Sequence, residues 1–194
     1  MSGRNMERIA EASPRVRARI AGGFYLLTFL TGGFAAFFAG RGLAKYGDAA
    51  NLIATACYVV VTVLFYNIFK PVNRSLSLLA AFFSLVGCAV STLSFFRRGP
   101  FHINPLAFFV FYCLLIGYLI FRSSFLPRIL GVLMAIGGLG WLTFLSPPLA
   151  NRLSPYNMAP GILGEGALTL WLLVMGVNVE RWKEQAGAAG GQRL

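Results

Sequence analysis

Of the 194 residues, 57% are hydrophobic and 12% are charged, and mean hydropathy is +0.70. Soluble domains carry about 25% charged residues, so a soluble fold of this size could not hide so much apolar surface, and the excess must face lipid. The formal net charge is +11 and the pI is about 10.3, but the basic residues sit between apolar runs and at the ends, where they orient helices and meet anionic headgroups instead of nucleic acid.

In chain order, residues 1–18 form a basic N-terminal segment with no clear cleavage site of a signal peptide. A helix needs about 20 apolar residues to cross about 30 Å of hydrocarbon, so charged residues act as fence posts. Arg19 and Arg41 enclose 21 uncharged residues, giving a first span at 19–39 with Ser13-Pro14 as its start signal. Asp48 and Lys70 enclose another 21, giving a span at 49–69 that Asp48 caps. Arg74 and Arg97 enclose 22, giving 75–96 with Asn73 as its cap. Arg98 and Arg122 enclose 23, giving 104–121 with Asn104-Pro105 at its start. Arg128 and Arg152 enclose 23, giving 127–146 opened by Pro127. Arg152 and Glu180 enclose 27, interrupted only by Glu165, giving 160–179 with Pro160 in its first turn. A polar, Gly-rich tail at 181–194 reads as disordered. The fold class is therefore all-α, a polytopic integral membrane protein with a six-helix transmembrane bundle over 19–180.

Lys/Arg bias places both termini in the cytoplasm: 12 basic residues then lie inside and 5 outside, Arg97-Arg98 being the weak point of that assignment. Tyr46, Tyr66, Tyr156 and Trp182 fall near the expected interfaces. Glycines at 22, 23, 32, 33, 137, 138, 140, 161, 164 and 166 offer surfaces where helices can approach closely. Thr28, Thr31, Thr55, Thr62, Asn67, Ser84 and Thr169 dot the spans, with Asn51, Ser91, Ser94 and Thr143. Each could line a pathway, though such groups more often bond to a backbone carbonyl or a neighbouring helix. Arg19-Ile20-Ala21-Gly22 and Arg128-Ile129-Leu130-Gly131 echo each other, which reads as a generic span opening more than as a duplication.

The stretch from Gly117 to Leu133, which contains Phe121-Arg122-Ser123-Ser124-Phe125-Leu126-Pro127-Arg128, is the most distinctive passage. With Arg19 to Leu27, Lys70 to Arg74 and Trp171 to Val177, it resembles the uncharacterised prokaryotic membrane family called domain of unknown function forty-three eighty-six. The resemblance spans nearly the whole chain. It implies a compact helical protein of a bacterial cytoplasmic membrane, and it implies no activity and no catalytic residue.

Glu165 is the residue to single out, because exposing a carboxylate to hydrocarbon is expensive and an ionisable group inside a span is a functional hypothesis by default. It reads either as a proton, cation or polar-ligand site, or as a structural partner of an outer-side base, namely Arg97, Arg98 or Arg152. His102, the single histidine, is a haem-ligand or pH-sensitive-partner candidate, though a lone loop histidine is more often a solvated polar group, and one histidine cannot supply both axial ligands of a haem. Arg122 and Arg128 could hold an anionic headgroup, or could simply be inside positive charge at a turn. Cys57, Cys88 and Cys113 lie in apolar runs without a CxxC pair, so neither a disulfide framework nor a metal centre is expected. No phosphate-binding loop, nucleophile elbow, zinc-protease motif or dinucleotide fingerprint appears. Four of the six acids fall in the tails. An enzyme is not expected, nor a cofactor. Two functions remain: an accessory or structural subunit, or a lipid or hydrophobic-ligand binder; and, second, a small proton-linked transporter using Glu165. Expected partners are membrane lipids and a protein partner or a second copy.

Overall fold

The computed structural model describes residues 13–39, 44–95 and 104–191. Its helices are α1 Pro14–Ala39, α2 Ala44–Phe69, α3 Arg74–Phe95, α4 Leu106–Arg122, α5 Arg128–Leu142, α6 Pro147–Leu153, α7 Ala159–Val174 and α8 Val179–Gly191. Single 3₁₀ turns, Thr143–Leu145 and Tyr156–Met158, flank α6. No strand occurs among the described residues. Four segments are long and apolar enough to cross a membrane: Lys45–Phe69, Arg74–Leu93, Arg128–Leu145 and Tyr156–Val174; Leu106–Arg122 is a shorter apolar helix.

The start signals work as the sequence suggests. Ser13 Oγ accepts from the Val16 amide at 3.4 Å, Asn73 Oδ1 from Leu76 at 3.0 Å and Asn104 Oδ1 from Leu106 at 3.0 Å. Each satisfies an amide that the first helical turn leaves without an intrahelical partner. Asp48 is a correction: α2 already begins at Ala44, so Asp48 lies within the helix, exposed, and caps nothing. An exposed charge does not stop a helix whose backbone bonds continue; the apolar run is shorter than the helix it belongs to.

Short connections make successive helices antiparallel neighbours. α1 packs on α2, α2 on α3, α3 on α4 and α4 on α5; α7 packs on α5 and returns to α1, closing a ring of six helices. The long aromatic and aliphatic side chains Tyr25, Phe65, Tyr112, Ile116, Met134 and Leu168 are fully buried inside it. Large apolar side chains such as Leu30, Phe34, Phe82, Leu139, Leu163 and Leu170 stay exposed on the outside. An apolar exterior of that extent points to a membrane protein.

Small residues set the closest approaches. At the α4–α5 contact a Cβ on Gly131 would lie 2.6 Å from the Gly117 carbonyl oxygen, and one on Gly117 would lie 2.8 Å from that of Gly131. Gly22, Gly137, Gly138, Gly140, Gly161 and Gly164 likewise face close neighbours, whereas Gly23, Gly32, Gly33 and Gly166 face open space. Most of the intrahelical hydroxyls bond one turn back, as expected: Thr31 to Leu27, Thr62 to Tyr58 and Thr169 to Glu165, at 2.7–2.8 Å.

Two boundaries differ from the sequence reading. The last span stops at Val174, not at 179, because Gly176 adopts φ +68° and its amide turns back to the Trp171 carbonyl, a glycine stop that releases the chain from the helix. The expected disordered tail over 181–194 is corrected as far as Gly191, where α8 ends. Glycine disfavours a helix, but tertiary bonds hold this one. Trp182 Nε1 donates to the Ile68 carbonyl at 2.8 Å, and Gln185 Oε1 accepts from the Ser124 amide at 3.1 Å. The Phe121–Arg128 turn is thus the cradle of α8, with Phe125 and Leu126 buried beneath it.

Candidate functional site

Glu165 sits in the third turn's approach of α7, roughly 9 Å of axial rise from Ala159, and points into the ring. It is 6% exposed. Close packing puts it there: α7 meets α5 through Gly161 and Gly164, so its inner face comes within reach of Trp141. A Cβ on Gly161 would lie 2.2 Å from the Trp141 ring.

Both carboxylate oxygens are engaged, and by uncharged donors. Trp141 Nε1 donates to Oε1 at 2.7 Å, and Cys113 Sγ approaches the same oxygen at 3.6 Å. Tyr25 Oη donates to Oε2 at 2.5 Å, and Tyr58 Oη reaches it at 3.4 Å. The two tyrosine hydroxyls are 3.3 Å apart. One acid therefore collects groups from α1, α2, α4 and α5. An ionised carboxylate has about four lone-pair directions and no donor, so four inward-facing donors suit it. Tyr112, also buried, stands edge-on to Tyr58 with ring centroids 5.7 Å apart, and its hydroxyl has no hydrogen-bond partner among the described residues.

Beside the carboxylate lies a cavity of about 190 Å³. Glu165, Tyr58, Phe109 and Trp141 form part of its wall, and Thr28, Asn51, Thr55 and Ser91 supply further polar groups. It occupies the end of the ring where α1, α3 and α5 finish and α2, α4 and α7 begin. The rings of Tyr58 and Phe109 meet edge to face, centroids 4.8 Å apart, making an aromatic corner.

Of the bases proposed to pair with Glu165, Arg152 lies in α6 and is exposed, while the carboxylate's bonds go to the neutral groups above. Arg97, Arg98 and His102 lie outside the described residues. Arg122 and Arg128 are both exposed at the two ends of the α4–α5 turn, and Arg128 stacks over Phe121 with its guanidinium carbon 5.5 Å from the ring centre. A second cavity, about 360 Å³, lies at the same end of the molecule, with Lys70, Arg74, Tyr66 and Trp182 in its wall. Among the described residues no cluster of three or more His, Cys, Asp or Glu could hold a metal.

Sequence reasoning found the acid and missed its partners. Tyr25, Tyr58 and Trp141 are ordinary aromatic letters in apolar runs. The available signal was position: Tyr25 and Tyr58 lie well inside their spans, away from the interfaces where tyrosines usually gather, and a buried phenol needs a partner.

Comparison with known proteins adds a family and no activity. The family described as "Domain of unknown function (DUF4386)" matches residues 42–99 and 96–176. An uncharacterized protein of Archaeoglobus fulgidus is 29% identical over 127 residues, covering 61% of this chain and 76% of its own length. No solved structure matches significantly.

Proposed function

We propose, on the premise that the chain belongs to the family described as Domain of unknown function (DUF4386), that it is a small proton-linked carrier in a cell membrane, binding its ligand at Glu165. One observation carries this reading: a buried carboxylate, held among the described residues by uncharged donors, forms part of the wall of a cavity. A carboxylate that merely stabilised the bundle would be better served by a nearby cation, since an unpaired buried charge is costly.

The same geometry accommodates a proton. With Glu165 ionised, Tyr25, Tyr58, Trp141 and Cys113 all donate inward. With the proton on Oε2, the carboxyl donates to Tyr25 Oη and the Tyr25 hydroxyl turns to Tyr58, 3.3 Å away. Hydroxyl protons rotate freely between such partners, so the site can change protonation without moving a helix. Trp141 donates in either state, because its indole N–H can do nothing else.

In this reading α1 to α5 and α7 all cross, making six spans. Four already have the length and composition to do so; α1, at 26 residues, has the length to cross, and α4 carries no charge before Arg122 at its end. Both termini are placed in the cytoplasm by the 12-to-5 Lys/Arg bias. The basic cavity at Lys70 and Arg74 favours a lipid headgroup contact at that rim, which accompanies the central site without replacing it.

The test is proton movement in proteoliposomes holding the full chain and a trapped pH-sensitive dye. Small amines, alcohols and acids are added in turn outside. One class should trigger proton movement with wild-type protein and not with folded Glu165→Gln. Equal responses from both proteins, or none from any class, would overturn the carrier reading.

A further inference from the structure

The ligand class can be narrowed from the walls of the central cavity, resting on the reading of Glu165 as the ligand site. We infer that the cavity takes a small monovalent organic cation, a protonated amine or a quaternary ammonium group.

Charge comes first. Glu165 is the one ionisable carboxylate on the cavity wall, and no Lys, Arg or His lines it among the described residues. The groups facing the carboxylate from the packed helices are Tyr25 on α1, Tyr58 on α2, Tyr112 and Cys113 on α4 and Trp141 on α5, with Cys88 of α3 on the cavity wall. None of these carries positive charge in any protonation state. Among the described residues nothing compensates an ionised Glu165, and a cationic ligand would supply that charge. An anionic ligand would meet the carboxylate with nothing to offset the repulsion.

Shape and wall chemistry agree. Tyr58, Phe109 and Trp141 border the space, and aromatic faces attract cations, tryptophan most strongly. The Tyr58–Phe109 corner, with centroids 4.8 Å apart, gives two differently oriented rings for one cationic head. Thr28, Asn51, Thr55 and Ser91 supply hydrogen-bond acceptors suited to an ammonium N–H. At about 190 Å³ the cavity has room for about six water volumes, which suits a short alkylamine.

Cation and proton then compete for Glu165. When the cation enters, the proton on Oε2 leaves to water, and the net charge of the site stays constant. That exchange turns a binding pocket into an antiporter's site: one proton out for each cation in. Affinity for the cation should rise with pH.

Calorimetry on the detergent-solubilised full chain tests the class without asking for transport. Tetramethylammonium and butylammonium are titrated against the uncharged tert-butanol and butanol of similar size. The cations should bind one per chain, at least tenfold more tightly than the alcohols, with release of a proton that shows as a dependence on buffer ionisation enthalpy. Phe109→Leu, which leaves every hydrogen bond of Glu165 in place, should weaken tetramethylammonium several-fold and leave the melting temperature near wild type. Alcohols binding as tightly as the amines would overturn the cation class while leaving a ligand site. Cation binding that survives Glu165→Gln unchanged would also overturn it. Cation binding without proton movement in vesicles would uphold the ligand class and sink the carrier reading alone.

Discussion

Tyr25 and Tyr58 both point at one carboxylate oxygen, yet they should not be equivalent. Tyr25 stands at 2.5 Å from Glu165 Oε2 and is fully buried, while Tyr58 stands at 3.4 Å and also borders the cavity. Removing a donor to a buried charged group costs about 1–3 kcal/mol. We expect Tyr25→Phe to lower thermal stability in detergent by that order, and Tyr58→Phe by clearly less. Equal costs would mean that the shorter contact contributes nothing special. Glycine 161 offers a second residue-scale check. Its absent Cβ leaves room for the Trp141 indole, so Gly161→Ala must push the ring away from Glu165, at about 1–3 kcal/mol for overpacking. Gly166→Ala, next to the acid and facing open space, should be near neutral and leave tryptophan emission unchanged. The acid itself was legible in the sequence as the one charge inside a long apolar run. Its partners were not, because their meeting depends on the ring closing, and no spacing within one helix encodes that.

Elements came through the sequence unevenly, for a physical reason. Lipid crossing demands long uninterrupted apolar runs, so the starts near Ser13, Asn73 and Asn104 and the ends near Phe69 and Arg122 could be read from charges and caps. Elements held by tertiary bonds left no such mark. Short α6 opens at Pro147-Pro148, and proline pairs read as loop. Helix α8 ends on six alanines and glycines in a row, Ala186 to Gly191, a composition that reads as disorder until its docking is seen. The anchor is Trp182, whose indole N–H reaches the Ile68 carbonyl. We therefore expect Trp182→Ala to free α8. Limited proteolysis from the C-terminal side should speed up several-fold, with little change in the melting of the ring, because loosely attached segments open independently of the core. Coincident loss of ring stability would show that α8 is part of the core instead. The α4–α5 contact belongs to the same scale. Gly131→Ala would set a methyl against the Gly117 carbonyl at 2.6 Å and should cost about 1–3 kcal/mol by forcing the helices apart. This pair also gives a packing reason for the distinctive character of the Gly117–Leu133 stretch.

For the molecule as a whole, ring closure and topology are linked. Six alternating ring helices bring α1 and α7 side by side and antiparallel, with Arg19 of α1 donating to the Val174 carbonyl at 2.9 Å at the end where α7 finishes. That bond ties the first and last ring helices together beside the turns that hold Lys70, Arg74, Arg122 and Arg128. The clustering of these cations at one end is what the inside rule demands of short loops. The opposite end carries the cavity beside Glu165, so in this orientation the central site lies nearer the outer face. Single cysteines introduced at Tyr156, which is 81% exposed, and at Asn73 test both statements in one experiment, after Cys57, Cys88 and Cys113 are replaced. An impermeant thiol reagent added outside intact cells should label position 156 and spare position 73. Labelling of both from one side would break the odd count of crossings, α3 to α5, between them. The reverse pattern would keep the ring and invert it, placing the Glu165 cavity toward the cytoplasm and reversing the direction in which a cation would enter.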